Sequence, residues 1–241
     1  MISSTRGIVI HHLKYSDTSL IATIYSELFG RKSFLIKGVY KPKSRFRANL
    51  FQPLNLLQIE VDISTRRSLQ RIRELSATPV INTIHTDLHK QAIAFFIAEV
   101  LFKTVKEEEA NPGLFEFLFH TVQYLDAQDT EFANFHLVFL THLSKYLGFF
   151  PRNNFSENKP IFDSLSGCFI SPSDININSH NEQISKKMHS LLKLNFENAG
   201  LLAINRLERM ELMEVLIDYF SIHLHGKLKI QSLQVLKELF D

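Results

Sequence analysis

Between Glu27 and Glu60 the chain carries no acidic residue, yet it places Arg31, Lys32, Lys37, Lys41, Lys43, Arg45 and Arg47 in that gap. Phe34, Tyr40 and Phe46 are interleaved with these cations, and Gly38 and Pro42 keep the later part extended or looped. Such a stretch suits contact with a polyanion. Cations displace condensed counterions from phosphates, and aromatic faces such as that of Tyr40 accept any base by stacking. A second bank, Arg66, Arg67, Arg71 and Arg73, adds to the same field if its strand returns nearby. The plainer alternative is a solvated loop whose charges serve solubility, and seven cations without one acid in seventeen residues weigh against it. Sequence-specific readout is not indicated, because no helix-turn-helix, zinc-finger or basic-zipper pattern is present.

Other chemistry is poorly supplied. The chain has no Gly-rich phosphate loop ending in Gly-Lys-Ser/Thr, no GxGxxG, no GxSxG and no HExxH. It therefore shows no recognisable ATP, dinucleotide, acyl-transfer or zincin machinery, and we assign no catalytic residue and no enzymatic activity. His85 and His89 lie four apart, a spacing that could hold a metal on one helical face, but two ligands without a third make no site. A polar first helical turn explains them more simply, with Thr83 or Thr86 as the cap and Asp87 favourable near the helix start. His11 and His12 point to opposite faces of a strand, and His223 and His225 sit at a helix end. Cys168 is the only cysteine, which excludes an internal disulfide and a cysteine-based zinc site. The run Glu107–Glu109 most simply ends a helix in solvent.

The elements that must hold the basic stretch read as short strands. Residues 5–13 and 18–25 are β-branched runs separated by a polar turn, which predicts a hairpin, and 31–39 follows Gly30 as a third strand. Over 56–63 the pattern alternates, with Leu57, Ile59, Val61 and Ile63 facing a core and Gln58, Glu60 and Asp62 facing water. Residues 67–75 read as a fifth strand or a short helix, and Thr65 with the chain before it favours a hairpin return. Five short strands in so few residues must curl to hide their edges, so an OB-like barrel is the economical arrangement. Thr78-Pro79 punctuates the change of period. Beyond it, 84–106 is apolar nearly all round, as a central buried helix is. Asn111-Pro112 opens the next helix, and 131–147 continues the helical pattern. Residues 149–185, with three prolines and many Asn and Ser, interrupt it; only Ile161-Phe162 and Cys168–Ile170 could form small strands there. Helical periodicity resumes over 185–195 and over 206–224, where Leu207, Met210, Met213, Ile217, Phe220 and Leu224 recur before Gly226. Residues 231–240 make a last amphipathic helix.

The fold class predicted is thus α+β with two domains: a five-stranded OB-like barrel over 1–79 and an all-α domain over 80–241, with an insertion at about 149–185. Composition agrees. The 241 residues are 45% hydrophobic, with 21 Phe, no Trp and eight Gly, which favours a packed helical body. Net charge is +2, but residues 1–78 hold thirteen Lys/Arg against five Asp/Glu and the rest hold fourteen against twenty. One half is therefore basic by 8 and the other acidic by 6, a split expected when only one half meets a polyanion. No window approaches eighteen uninterrupted apolar residues, the early apolar run is broken by Arg6, His11, His12 and Lys14, and a reducing cytoplasmic setting is expected.

The opening, TRGIVIHHLKYSDTSLIATIYSELFGRKSFLIKGVYKPKSR, resembles the start of bacterial RecO proteins, a family of recombination mediators. The residues that carry the likeness are Gly7-Ile8-Val9, Tyr15-Ser16-Asp17, Leu20–Tyr25, Phe29-Gly30 and Lys37-Gly38. Tyr146–Pro151 resembles the family's Leu-Gly-x-x-Pro exit from its helical bundle, and HLHGKLKIQSLQVLKEL resembles its closing helix pair. The resemblance implies a cytoplasmic, nucleoid-associated DNA repair and recombination protein. Such a protein binds single- and double-stranded DNA, anneals complementary strands, contacts RecR and docks the acidic tail of single-stranded-DNA-binding protein on its helical domain. With RecR it helps to load recombinase onto DNA coated by that protein. Many relatives carry a four-cysteine zinc module after the Leu-Gly-x-x-Pro segment; here Asn153–Ser185 keeps only Cys168, so a loop or hairpin without zinc, and no cofactor, is expected. A groove for an acidic tail should combine an apolar pocket with cations, and Lys90, Lys103, Arg206 and Arg209 qualify on charge. Two alternatives stand beside this reading: an RNA-binding OB module with a helical protein-interaction scaffold, and an enzyme with a diffuse site in the Asn/Ser-rich segment.

Overall fold

The computed structural model describes residues 2–64, 66–130 and 132–239. Thr65, read as part of a turn, and Phe240, the last residue of the expected closing helix, lie outside the described residues, as do Met1, Glu131 and Asp241. The chain forms two compact units, Met1–Ala127 and Gln128–Asp241.

In the first unit five strands form where the sequence places them, the third ending at Ile36, three residues earlier than its pattern. β1 (Ile2–Lys14), β2 (Leu20–Ser26), β3 (Gly30–Ile36), β4 (Leu56–Asp62) and β5 (Arg71–Ala77) make one antiparallel sheet in the order β3-β2-β1-β4-β5. The long β1 serves both neighbours, pairing through residues 7–14 with β2 and through 2–8 with β4. A register shift between Val9 and His11 bends it where it changes partner. The sheet is not closed along its length. Its two edges meet at one parallel bridge, Phe34 with Gln70, where the Gln70 amide donates to the Ser33 carbonyl at 2.8 Å and the Leu35 amide donates to the Gln70 carbonyl at 3.1 Å. This makes the domain OB-like. The alternation in β4 is realised: Leu57, Ile59 and Val61 join Val9, Ile24, Phe34 and Phe51 in a fully buried cluster, with Ile63 half-buried beside it. The fifth element is a strand and not a helix, and it starts at Arg71, four residues later than the sequence pattern.

β1 is buried on both faces because α1 (Leu88–Thr104) packs on it, so Ile8 and Ile10 are buried along with Val9. The helix is shorter than its apolar pattern at the start, and its cap is neither Thr83 nor Thr86. Asp87 caps it by accepting from the amides of His89 and Lys90. Ile84 and His85 therefore precede the helix. α2 (Pro112–Ala127) opens with the Asn111 side chain accepting from the Leu114 amide, and its predicted stripe, Leu114, Phe115, Leu118, Val122 and Leu125, is buried.

The second unit holds α3 (Phe135–Tyr146), entered through a short 3-10 turn at Phe132–Asn134, then a hairpin of β6 (Ile161–Asp163) and β7 (Cys168–Ile170). α4 (Glu182–Leu191), α5 (Arg206–His223) and α6 (Ser232–Leu239) follow. α5 is fixed at its start by a capping box between Asn205 and Glu208. Its buried face runs through Leu212, Met213, Leu216, Ile217 and Phe220, which leaves Leu207 in the first turn largely exposed, contrary to the stripe read from the sequence. Past its end the left-handed residue is His225, with φ of 53°, and not Gly226.

Candidate nucleic-acid interface

The twelve residues singled out from the sequence divide into those tied to the protein and those facing solvent. Arg31 belongs to the first group. Its guanidinium donates to the carbonyls of Phe102 at 2.7 Å and Val105 at 3.0 Å, and it lies over the Phe102 ring at 4.4 Å. These carbonyls end α1, where the helix leaves acceptors without amide partners, so Arg31 acts as the cation that closes that helix. Burial lowers its pKa despite nearby Glu108. Lys32 pairs with Glu108 at 2.8 Å, and the Arg31 amide donates to the Glu107 carbonyl at 3.1 Å. The Glu107–Glu109 run therefore lines the β3 edge instead of ending freely in solvent. Gly30, with φ of 59°, makes this approach possible, since a Cβ there would collide with the Glu107 and Glu109 carbonyls.

Lys37, Lys41, Lys43 and Arg47 face solvent on the loop after β3 and make no ion pair among the described residues. Val39, 4% exposed, anchors the loop while Tyr40 is 43% exposed. The turn is set by Gly38, with φ of 73°, whose carbonyl accepts from the Lys41 amide. Arg45 lies over the Phe46 ring and pairs at 3.1 Å with Glu74 on β5. Both partners are well exposed, and such a surface pair leaves Arg45 available to a phosphate. In the second bank Arg66 is exposed, Arg67 pairs with Asp62 at 3.1 Å, and Arg71 and Arg73 leave one face of β5 two residues apart. The banks do meet. One cleft is lined by Lys37, Phe46, Arg67 and Arg71 together, and its neighbour by Arg45, Arg71 and Arg73 with three acids, Glu60, Asp62 and Glu74. Gln70, which the sequence did not mark, holds this geometry. Buried, its side chain accepts from the Ser64 amide and donates to the carbonyls of Ser64 and Arg67.

The cations read for a partner groove also separate. Lys90 is buried and donates to the Thr83 hydroxyl and the Asp126 carbonyl, and Lys103 pairs with Glu99 at 2.6 Å. Arg206 and Arg209 instead line one pocket of the second unit with Met210, Met213, Leu233, Leu236 and Lys237. Arg209 is oriented by its bond to the Asn134 side-chain oxygen at 2.9 Å. Burial, with Arg209 nearby, pushes His136 in the same pocket down to about 3, so it is neutral there. His85 and His89 do not share a helical face, because His85 meets the Asn55 side chain at 2.9 Å ahead of α1.

The family profile described as "Recombination protein O N terminal" matches residues 1–79, and that described as "Recombination protein O C terminal" matches 85–231. The chain belongs to the RecO family. It is 39% identical over 245 residues to the "DNA repair protein RecO" of Bacteroides fragilis and 37% identical over 241 residues to that of Phocaeicola vulgatus, covering 100% of each chain in both cases. The protein of the same name from Flavobacterium psychrophilum is 37% identical over 238 residues, 98% of each chain. The strand-rich RecO N-terminal match coincides with the basic stretch, and its end falls at Pro79, after β5.

The zinc module of many RecO proteins does not fit the residues here. Cys168 is the sole thiol, and among the described residues no group of three or more His, Cys, Asp and Glu could hold a metal. Hydrogen bonds tie the corresponding segment instead. The Asp163 carboxylate accepts from the Ser166 amide at 2.8 Å and the Asn176 side-chain amide at 3.0 Å, and the Ser164 hydroxyl meets His180 at 2.7 Å. No helix among the described residues is long and apolar enough to cross a membrane.

Proposed function

We propose that this protein is a DNA repair and recombination mediator that binds single- and double-stranded DNA on the barrel face and anneals complementary strands. The observation that carries the reading is the set of exposed cations there that make no ion pair among the described residues: Lys37, Lys41, Lys43 and Arg47 on the loop, and Arg71 and Arg73 on β5. Annealing needs no catalytic group, and the protein works without enzymatic turnover or a metal cofactor. It needs a cationic surface that offsets phosphate repulsion between two strands and holds them loosely enough for bases to search for register. RecR and single-stranded-DNA-binding protein are the partners with which it assists recombinase loading. The acidic, apolar-ended tail of the latter suits the pocket of Arg206, Arg209, Lys237, Leu233 and Leu236, which offers cations beside aliphatic carbon. Complementary oligonucleotides should anneal in its presence without ATP, and replacing Lys37, Lys41, Lys43 and Arg47 together by Ala should abolish the acceleration. Normal annealing by that variant would refute the role of the loop.

A further inference from the structure

The cationic face contains a recess whose apolar lining is not needed for phosphate contact. It lies where the end of β3, the loop after it and the start of β5 meet, a cleft of about 420 Å³. Lys37, Arg67 and Arg71 stand around it, while Phe46, Leu69 and Ile72 supply carbon surface. Phe46 and Ile72 rest on the buried barrel cluster beneath, so the seat is firm. Its shape is fixed before any ligand arrives. Gln70 ties the wall through Ser64 and Arg67, the Ser44 hydroxyl donates to the Phe46 carbonyl, and Arg45 lies over the Phe46 ring. A surface that bound only phosphates would gain nothing from exposing half-buried Leu69 beside Lys37 and Arg71, whereas a flat ring beside a phosphate would use both features.

We propose that this cleft receives one unstacked nucleobase of single-stranded DNA, seated on Phe46 and Leu69, with the flanking phosphates on Lys37 and Arg71. This rests on the DNA-binding reading above and adds to it the form of DNA that the site selects. Charge decides the occupant: Lys37 and Arg71, which make no ion pair among the described residues, flank an apolar seat and suit a ring joined to phosphates, while Arg67 is held by Asp62. In a duplex the rings are stacked and paired, and drawing one out costs unstacking energy that a single strand does not incur. Gripping one base per protein leaves its neighbours on the strand outside the cleft, with their pairing edges open to a complementary strand.

The test compares two single strands of equal length on the full-length protein by fluorescence anisotropy: oligothymidylate, and the same sugar–phosphate chain lacking its bases. Both present the same phosphates. The unmodified protein should bind the base-bearing strand about tenfold more tightly. Leu69→Asn should bring that ratio close to one, and Lys37→Gln with Arg71→Gln should weaken both strands. Thermal melting of each variant checks its fold, and the comparison on the unmodified protein stands without any variant. Equal binding of the two strands, or a ratio retained in Leu69→Asn, would overturn the base seat alone. Binding of neither strand would overturn the DNA-binding reading as well.

Discussion

Arg31 reaches from the start of β3 to the last carbonyls of α1, while Lys41 reaches only solvent, although both belong to one run of cations. The difference predicts opposite phenotypes. Arg31→Gln removes a charged donor from the carbonyls of half-buried Phe102 and buried Val105 and should lower stability by about 1.5–3 kcal/mol, measured by urea denaturation. Its affinity for single-stranded DNA, measured where it is folded, should stay within about twofold. Lys41→Gln should leave the urea midpoint in place and weaken DNA binding. The charge run was legible because it is a local count. Its division was not, since the carbonyls that hold Arg31 and the carboxylate that holds Lys32 lie over seventy residues away in the chain. Gln70 was missed for a related reason: a lone glutamine carries no sequence signal, and its role appears only once the barrel edges meet.

The β2–β3 turn and the segment after α1 touch through Gly30, and this contact can be tested against a second glycine of similar backbone. Gly30→Ala puts a methyl group against the Glu107 and Glu109 carbonyls and also incurs left-handed strain, whereas an added Cβ at Gly148, with φ of 86°, meets no atom within 4 Å. Gly148→Ala should therefore cost about 1–2 kcal/mol from strain alone, and Gly30→Ala distinctly more. Asp126, at the end of α2, receives the amides of Asn82, Thr83 and Ile84 from the segment before α1. Burial raises its pKa, but the combined donors, led by the amides of Asn82, Ile84 and Thr83, outweigh this and hold the carboxyl below the usual range. A folded pKa below the unfolded one stabilises the fold above the unfolded value near 4, and that contribution is lost as pH falls through the folded value. The stability difference between the unmodified protein and Asp126→Asn, from urea denaturation, should be complete at pH 7 and shrink steadily below about pH 4. A constant difference would contradict the assignment. At this scale the strands were readable because side-chain alternation fixes register. Helix starts were less so: Asp87, and not a threonine, caps α1, because Thr83 is held by Asp126 instead. Likewise the left-handed residue past α5 is His225 and not the neighbouring Gly226 that the sequence pattern favours.

Across the whole chain, charge is unevenly divided. Residues 1–78 carry an excess of eight positive charges, and the remainder an excess of six negative ones. Within the acidic remainder Arg206, Arg209 and Lys237 line one pocket, with Lys237 paired to Glu214 at 2.7 Å. Reversing Arg206 and Lys237 to Glu should weaken binding of an acidic C-terminal peptide of single-stranded-DNA-binding protein at least tenfold, read by peptide anisotropy. Affinity for single-stranded DNA should change little by comparison. The split of charge between residues 1–78 and the rest was legible because it is a count along the chain, whereas the grouping of α1 and α2 with the sheet in one compact unit, Met1–Ala127, was not. The pocket was only half legible: Arg206 and Arg209 stood out by charge, but Leu233, Leu236 and Lys237 come from a separate helix.

The most direct test of the central claim is the salt dependence of single-stranded DNA binding. Each phosphate contact contributes about −0.7 to the slope of log affinity against log salt for single strands. Replacing Lys37, Lys41, Lys43, Arg47, Arg71 and Arg73 by Gln should therefore make the slope shallower by about 4 and reduce affinity in proportion. An unchanged slope in that variant would show that DNA lies elsewhere on the protein.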